Sequence, residues 1–322
     1  MFLISKLTAA GVVALGFGSY FHQLLPIASP ITFSVVAVIF LTAANYFGVK
    51  KAGKLNFLIV TITLLTLIYL VFSGISQVNP ENFKPFAPFG ISGIAEAAAL
   101  LFFAFTGYAR IATLAEEVVE PKKTIPRAII ITTITAIILY LAISIIAIGV
   151  IGAEQMALSI SPLQVVADAL STPGVSIAIT IGASTAMLGV LLSQILGISR
   201  MMLAMGRRND LPSFFKTIHK RYQLPHIGIF ITGGIILLLS IIGSFEFIVR
   251  AATFTILLYY SITNIAAIKH PRSERMYGRL VPVLGLIGCL AMSVSLPLNV
   301  IASGVGLLLI GFVVRFLFHR IS

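Results

Sequence analysis

Tryptophan is absent from this chain and cysteine occurs once, at Cys289. A lone cysteine excludes an internal disulfide and any metal site built on clustered thiolates. The interfacial role that tryptophan often fills falls here to tyrosine and phenylalanine. Charge is scarce as well. Charged residues make up 10% of the 322, against about 25% in soluble domains. Hydrophobic residues reach 58% and mean hydropathy is +1.07. A soluble domain cannot be built from this composition, so the sequence reads as an integral membrane protein.

Apolar stretches of membrane-crossing length fill what remains. They fall at 1–24, 29–47, 55–77, 92–113, 127–152, 174–205, 225–243, 246–268, 280–297 and 299–318, ten in all, with a Ser-Leu-Pro-Leu-Asn turn at 295–299 dividing the last two. The connections are short, so residues 1–322 form a single polytopic membrane domain with no soluble appendage. Between the fifth and sixth spans, residues 153–173 suit a short amphipathic surface helix that starts at Ser161-Pro162. The first stretch is longer than a signal-peptide core, contains Lys6 and lacks a small-residue cleavage site, so it counts as a span.

Acidic residues are the scarcer sign: 10 Asp and Glu against 22 Lys and Arg, a formal charge of +12. Such an excess can mark a nucleic-acid partner, but the distribution excludes one. The basic residues occupy alternate loops: Lys50, Lys51 and Lys54; Lys122, Lys123 and Arg127; Arg207, Arg208, Lys216, Lys220 and Arg221; Lys269, Arg272, Arg275 and Arg279; and Arg315 and Arg320 near the end. The intervening loops hold almost none. This is the positive-inside pattern of a cell-membrane protein, and it places the C-terminus in the cytoplasm. Intramembrane catalysis is excluded on similar grounds. His22, His219, His226, His270 and His319 all fall in loops or at span ends, and no carboxylate pair lies in mid-membrane. No metal or organic cofactor is expected.

The most informative segment is 102–127. Its apolar span carries Ala104, Thr106 and Gly107 at its centre and then Arg110, before a charged loop with Glu116, Glu117 and Glu120 that ends at Pro126-Arg127. Glycine and arginine at that depth suit a broken helix or a cavity lining, and packing of a small residue against a neighbouring helix is the alternative. Arg110 can pair with Glu116 or Glu96 or reach toward the cytoplasm. Arg250, near the outer end of its span, reads as interfacial.

Four motifs in order then suggest a family. They are Phe-Phe-Ala-Phe-Thr-Gly at 102–107 with Glu-Glu-Val at 116–118 and Ile-Pro-Arg-Ala at 125–128; Asn45-Tyr-Phe-Gly-Val-Lys50 with Leu55-Asn56; Ser199-Arg200 with Met205-Gly-Arg and Leu211-Pro212; and Leu257-Leu-Tyr-Tyr-Ser-Ile-Thr-Asn264. Along its whole length the chain resembles the amino acid–polyamine–organocation (APC) superfamily of permeases. The resemblance implies an all-α, LeuT-like five-plus-five inverted-repeat transporter fold with about ten transmembrane helices here. It also implies an N-terminally incomplete form, because residues 102–110 align with the family's sixth helix and the first two have no counterpart. A function follows by implication: secondary active transport of amino acids or related amines by alternating access. A non-transporting remnant, or an accessory subunit that needs a two-helix partner, is the alternative.

The resemblance implies that Phe105-Thr106-Gly107 is a helix break whose carbonyls accept from a substrate ammonium. Phe102, Phe105 and Tyr108 would shape the pocket, the general design being a midplane site at interrupted helices. Coupling to protons or sodium is the remaining expectation. Some relatives place a lysine where this chain has Thr63. Lys6 can substitute for it or snorkel to the interface. Ser184, Thr185 and Ser193 offer hydroxyls to a sodium ion, although hydroxyls in helices commonly bond back to their own backbone.

Overall fold

In a bilayer every backbone polar group must be satisfied within the protein, and a helix does this inside one segment. The apolar stretches accordingly become helices. The computed structural model describes residues 2–48, 52–107, 118–242, 245–272 and 275–321, and among them every regular element is helical. The α-helices are α1 (Phe2–Leu24), α2 (Pro30–Phe47), α3 (Ala52–Gly74), α4 (Gly90–Ala104), α5 (Pro121–Leu158), α6 (Pro162–Ala169), α7 (Val175–Arg207), α8 (His226–Ile242), α9 (Phe245–Lys269), α10 (Leu280–Val294) and α11 (Leu298–Ile321).

Local chemistry sets the boundaries. Ser29 caps α2 by accepting from the Thr32 N–H at 3.2 Å, with Pro30 at the first position, where its missing N–H costs nothing. Gly48, at φ 84°, ends the same helix and donates to the carbonyls of Ala44 and Asn45. The surface helix α6 begins at Pro162 directly after Ser161. Helix α5 starts six residues before the expected span because Pro121 opens it, and it turns at Gly152, whose φ of 80° lies outside helical space.

Helix α1 is the hub and packs against α2, α7, α8 and α9. Apolar helices gain little from leaving lipid for one another, so their association depends on close approach. At Gly18 a Cβ would overlap the Pro30 carbonyl of α2, and at Gly182 of α7 one would overlap the Thr66 hydroxyl of α3. Leu7, Ala14, Val38, Leu41, Leu191, Ile195 and Ile236 fill the interior between α1, α2, α7 and α8. A second cluster, including Tyr20, Leu70, Ile146, Val166 and Ile179, ties α5 and α6 to this body. The third joins Ala99 of α4 to Phe254, Leu257 and Tyr260 of α9, Cys289 of α10 and Val300 of α11.

Among the described residues, six helices (α1, α2, α3, α5, α7 and α9) are long and apolar enough to cross a membrane, and α10 with the first part of α11 makes a pair bent by 113°. Helices α4 and α8 have 15 and 17 residues, roughly 22 and 26 Å at 1.5 Å per residue, short of ~30 Å of hydrocarbon. For α4 the reason is plain: it stops at Ala104, inside its apolar stretch.

Candidate functional site

A helix that ends within an apolar stretch leaves its last carbonyls without intrahelical partners. At the end of α4 two of them are taken locally. The Phe105 N–H donates to the Phe102 carbonyl at 3.1 Å, and the Thr106 N–H to Phe103 at 3.2 Å. The Thr106 hydroxyl adds a second bond to the Phe103 carbonyl at 2.7 Å. Residues Phe105 to Gly107 form a turn closed by the Gly107 N–H on the Phe105 carbonyl at 3.1 Å. The Ala104 carbonyl receives its bond from another helix: the Tyr140 hydroxyl of α5 donates to it at 3.0 Å.

The two aromatic side chains at this helix end meet different neighbours. Phe102 lies edge-on to Tyr260 of α9, with ring centres 5.5 Å apart, and packs on the third core cluster. Phe105 lies edge-on to Tyr140, with centres 5.1 Å apart. A cavity of about 280 Å³ opens beside the turn; Phe105 and Gly107 line it from one side and Thr132, Thr133, Ala136 and Tyr140 of α5 from the other. It is mostly apolar, with hydroxyls and a helix end for polar contact. Of the residues expected here, Phe105 and Gly107 border the cavity and Thr106 sits in the turn between them. Phe102 faces the core, and Tyr108 lies outside the described residues, as do Arg110, Glu116 and Glu117. Tyr140 carried no sequence signal of its own, since a tyrosine in an apolar span usually marks packing or an interface. A larger cavity of about 530 Å³, lined by Ser19, His22, Gln23, Gln155 and Ser159 among others, lies at the ends of α1 and α5 and contains none of the expected residues.

The coupling candidates are spread over three helices. Lys6 is partly buried on α1. Thr63 on α3 donates to the Ile59 carbonyl of its own helix at 2.8 Å. On α7, Thr185 donates to Ile181 at 2.8 Å and Ser193 to Val190 at 3.1 Å. Ser184 differs: it is 7% exposed and its hydroxyl has no hydrogen-bond partner. Among the described residues, no three of His, Cys, Asp and Glu come together to hold a metal ion.

Arg250, read as interfacial, lies in the second turn of α9 and carries two ion pairs. From α9 it reaches Glu96 of α4 at 3.1 Å and Glu246, one turn back on its own helix, at 2.9 Å. Its Nε is buried without a partner. Partial burial strengthens the pull of a carboxylate within reach, and Glu96 supplies one.

Comparison with known proteins fits this architecture. The sequence pattern described as amino acid permease matches residues 1–319. The chain belongs to the amino acid permease family. Its members in the APC superfamily are transporters, not enzymes, and the long apolar helices agree with a multi-pass membrane protein. An uncharacterized transporter of Mycobacterium tuberculosis is 35% identical over 315 residues, covering 96% of this chain and 70% of that protein. A branched-chain amino acid permease of Bacillus subtilis is 28% identical over 346 residues, 99% of this chain and 74% of the permease. A methylthioribose transporter of the same organism is 29% identical over 352 residues, with the same two shares.

Proposed function

We propose that this permease is a secondary active transporter that moves amino acids or related amines by alternating access, with its substrate held at the end of α4. The observation that carries the reading is the termination of α4 at Ala104, inside an apolar stretch and beside a cavity of about 280 Å³, in a chain of the amino acid permease family. An ammonium needs acceptors, and the carbonyl end of a helix supplies them together with a negative dipole end. Thr106 and Gly107 form the turn, Phe105 walls the apolar side, and Tyr108 follows directly in sequence.

The same reading treats residues 1–322 as one polytopic domain of the cell membrane with a cytoplasmic C-terminus. Coupling to a proton or sodium ion falls to Ser184 and its neighbour Thr185, with Lys6 and Thr63 as the other candidates. Ser184 leads because its buried hydroxyl is not committed to its own helix. The branched-chain relative favours an apolar amino acid, and the methylthioribose relative supplies a substrate without an amine as a comparison.

The test is uptake by sealed vesicles from source-cell membranes with and without the gene, offered each of the twenty proteinogenic amino acids, a set of biogenic amines and methylthioribose. Saturable, gene-dependent uptake of at least one amino acid or amine is expected. Gene-dependent uptake of methylthioribose alone, or of no compound offered, contradicts the proposal.

A further inference from the structure

At the end of α4 the Ala104 carbonyl accepts from outside its own segment, and the donor is the Tyr140 hydroxyl. The bond joins residues 36 positions apart, across α4 and α5. Its position is unusual. In the local turn the N–H groups of Phe105, Thr106 and Gly107 are used on the carbonyls of Phe102, Phe103 and Phe105. The last carbonyls of a helix depend on donors beyond its regular ladder, and for Ala104 the Tyr140 hydroxyl is such a donor. The tyrosine ring also rests edge-on against Phe105, the first residue of the turn. One side chain thus fixes both the backbone and the aromatic wall at the point where helix gives way to cavity.

We infer that Tyr140 is a positioning residue for the substrate ammonium: it holds the Ala104 carbonyl beside the cavity that both residues line. A carbonyl oxygen has two lone pairs, so it can accept from the tyrosine hydroxyl and from a substrate N–H together. Tyr140 itself borders the cavity, with Thr133 and Ala136 on the same face of α5. A bond to a charged donor is stronger than a neutral one, so holding the carbonyl in place favours amine-bearing substrates over analogues that lack the charge. The inference rests on the reading of the α4 end as the substrate site. It adds a selectivity determinant on a helix that carries none of the expected substrate residues.

The experiment introduces Tyr140→Phe, which removes only the hydroxyl, and Tyr140→His, which keeps a ring N–H donor, at the gene's own locus. Vesicles from those cells take up labelled L-leucine, with 2-hydroxy-4-methylpentanoate, which has a hydroxyl where leucine has its ammonium, as competitor. Protein amount is read by immunoblot. In Tyr140→Phe the leucine KM should rise about three- to tenfold at nearly unchanged kcat, the size of one ordinary hydrogen bond. The hydroxy acid should inhibit with undiminished potency, so discrimination falls, and Tyr140→His should restore part of it. A leucine KM equal to the parent's, or an equal loss for leucine and the hydroxy acid, overturns the role of Tyr140 while transport stands. A parent that takes up neither leucine nor any other amino acid overturns the transport reading, and the Tyr140 assignment falls with it. Should Tyr140→Phe be missing from the membrane, a leucine KM raised in Tyr140→His with inhibition by the hydroxy acid unchanged supports the inference, and a Tyr140→His equal to the parent for both compounds, or weakened equally for both, contradicts it.

Discussion

Phe102 and Phe105 are chemically identical and three residues apart, yet they do different work. Phe102 packs on Tyr260 in a cluster that joins α4 to α9, α10 and α11, whereas Phe105 borders a cavity against Tyr140. Deleting an aromatic side chain from a packed site removes many contacts and leaves a void. Truncation beside an existing cavity enlarges space that is already there. Phe102→Ala should therefore lower stability by about 2–3 kcal/mol, the low end for a large-to-small change at a partly buried position, and Phe105→Ala by about half that. Thermal unfolding of the two purified variants in one detergent checks this, and a larger loss in Phe105→Ala would contradict it. The sequence could not separate the two. Their shared motif places both at a helix end, but which neighbour each meets depends on a turn whose direction no single residue encodes. Tyr140 was illegible for the same reason: its partner is a backbone carbonyl 36 residues away.

At the scale of elements, the apolar stretches located the helices well and their ends less well. The Ser29-Pro30 start of α2 and the Ser161-Pro162 start of α6 could be read directly, since capping chemistry is local. The early start of α5 at Pro121 and the stop of α4 at Ala104 shift the expected spans by several residues, because polar residues extend one helix and a turn shortens the other. What holds α4 in place was not legible. Beyond its apolar contacts with α9 and α10, α4 is tied by Glu96 to Arg250, across 154 positions of sequence. Both side chains are about one-third exposed, at 33% and 28%, whereas Glu246, the other partner of Arg250, is 74% exposed. An exposed pair contributes little, and a half-buried carboxylate left alone costs more. Arg250→Met should therefore destabilise the protein by about 1 kcal/mol, and Glu246→Gln by a few tenths. Denaturation midpoints of the two variants measure the difference, and equal losses would mean that the contact between α4 and α9 does not depend on the Glu96 pair.

For the whole molecule, composition and loop charge carried the membrane assignment, and four short motifs in order carried the family. The family match over residues 1–319 agrees with both. Helix packing around α1 was beyond the sequence, because it depends on contacts such as Gly18 on Pro30 and Gly182 on Thr66, where the small residue is meaningful only opposite its partner. The central claim is that the turn after α4 is a substrate site reached alternately from the two faces of the membrane. Its most direct measurement uses the single cysteine of the chain. With Cys289, 4% exposed, changed to Ala, Thr106→Cys places one thiol in the turn. Its alkylation by a membrane-impermeant reagent is then followed in right-side-out and in inverted vesicles, with and without the transported amino acid. The account predicts labelling from both faces, slowed severalfold by saturating substrate in each. Labelling from one face only, at a rate that the amino acid does not change, would contradict it.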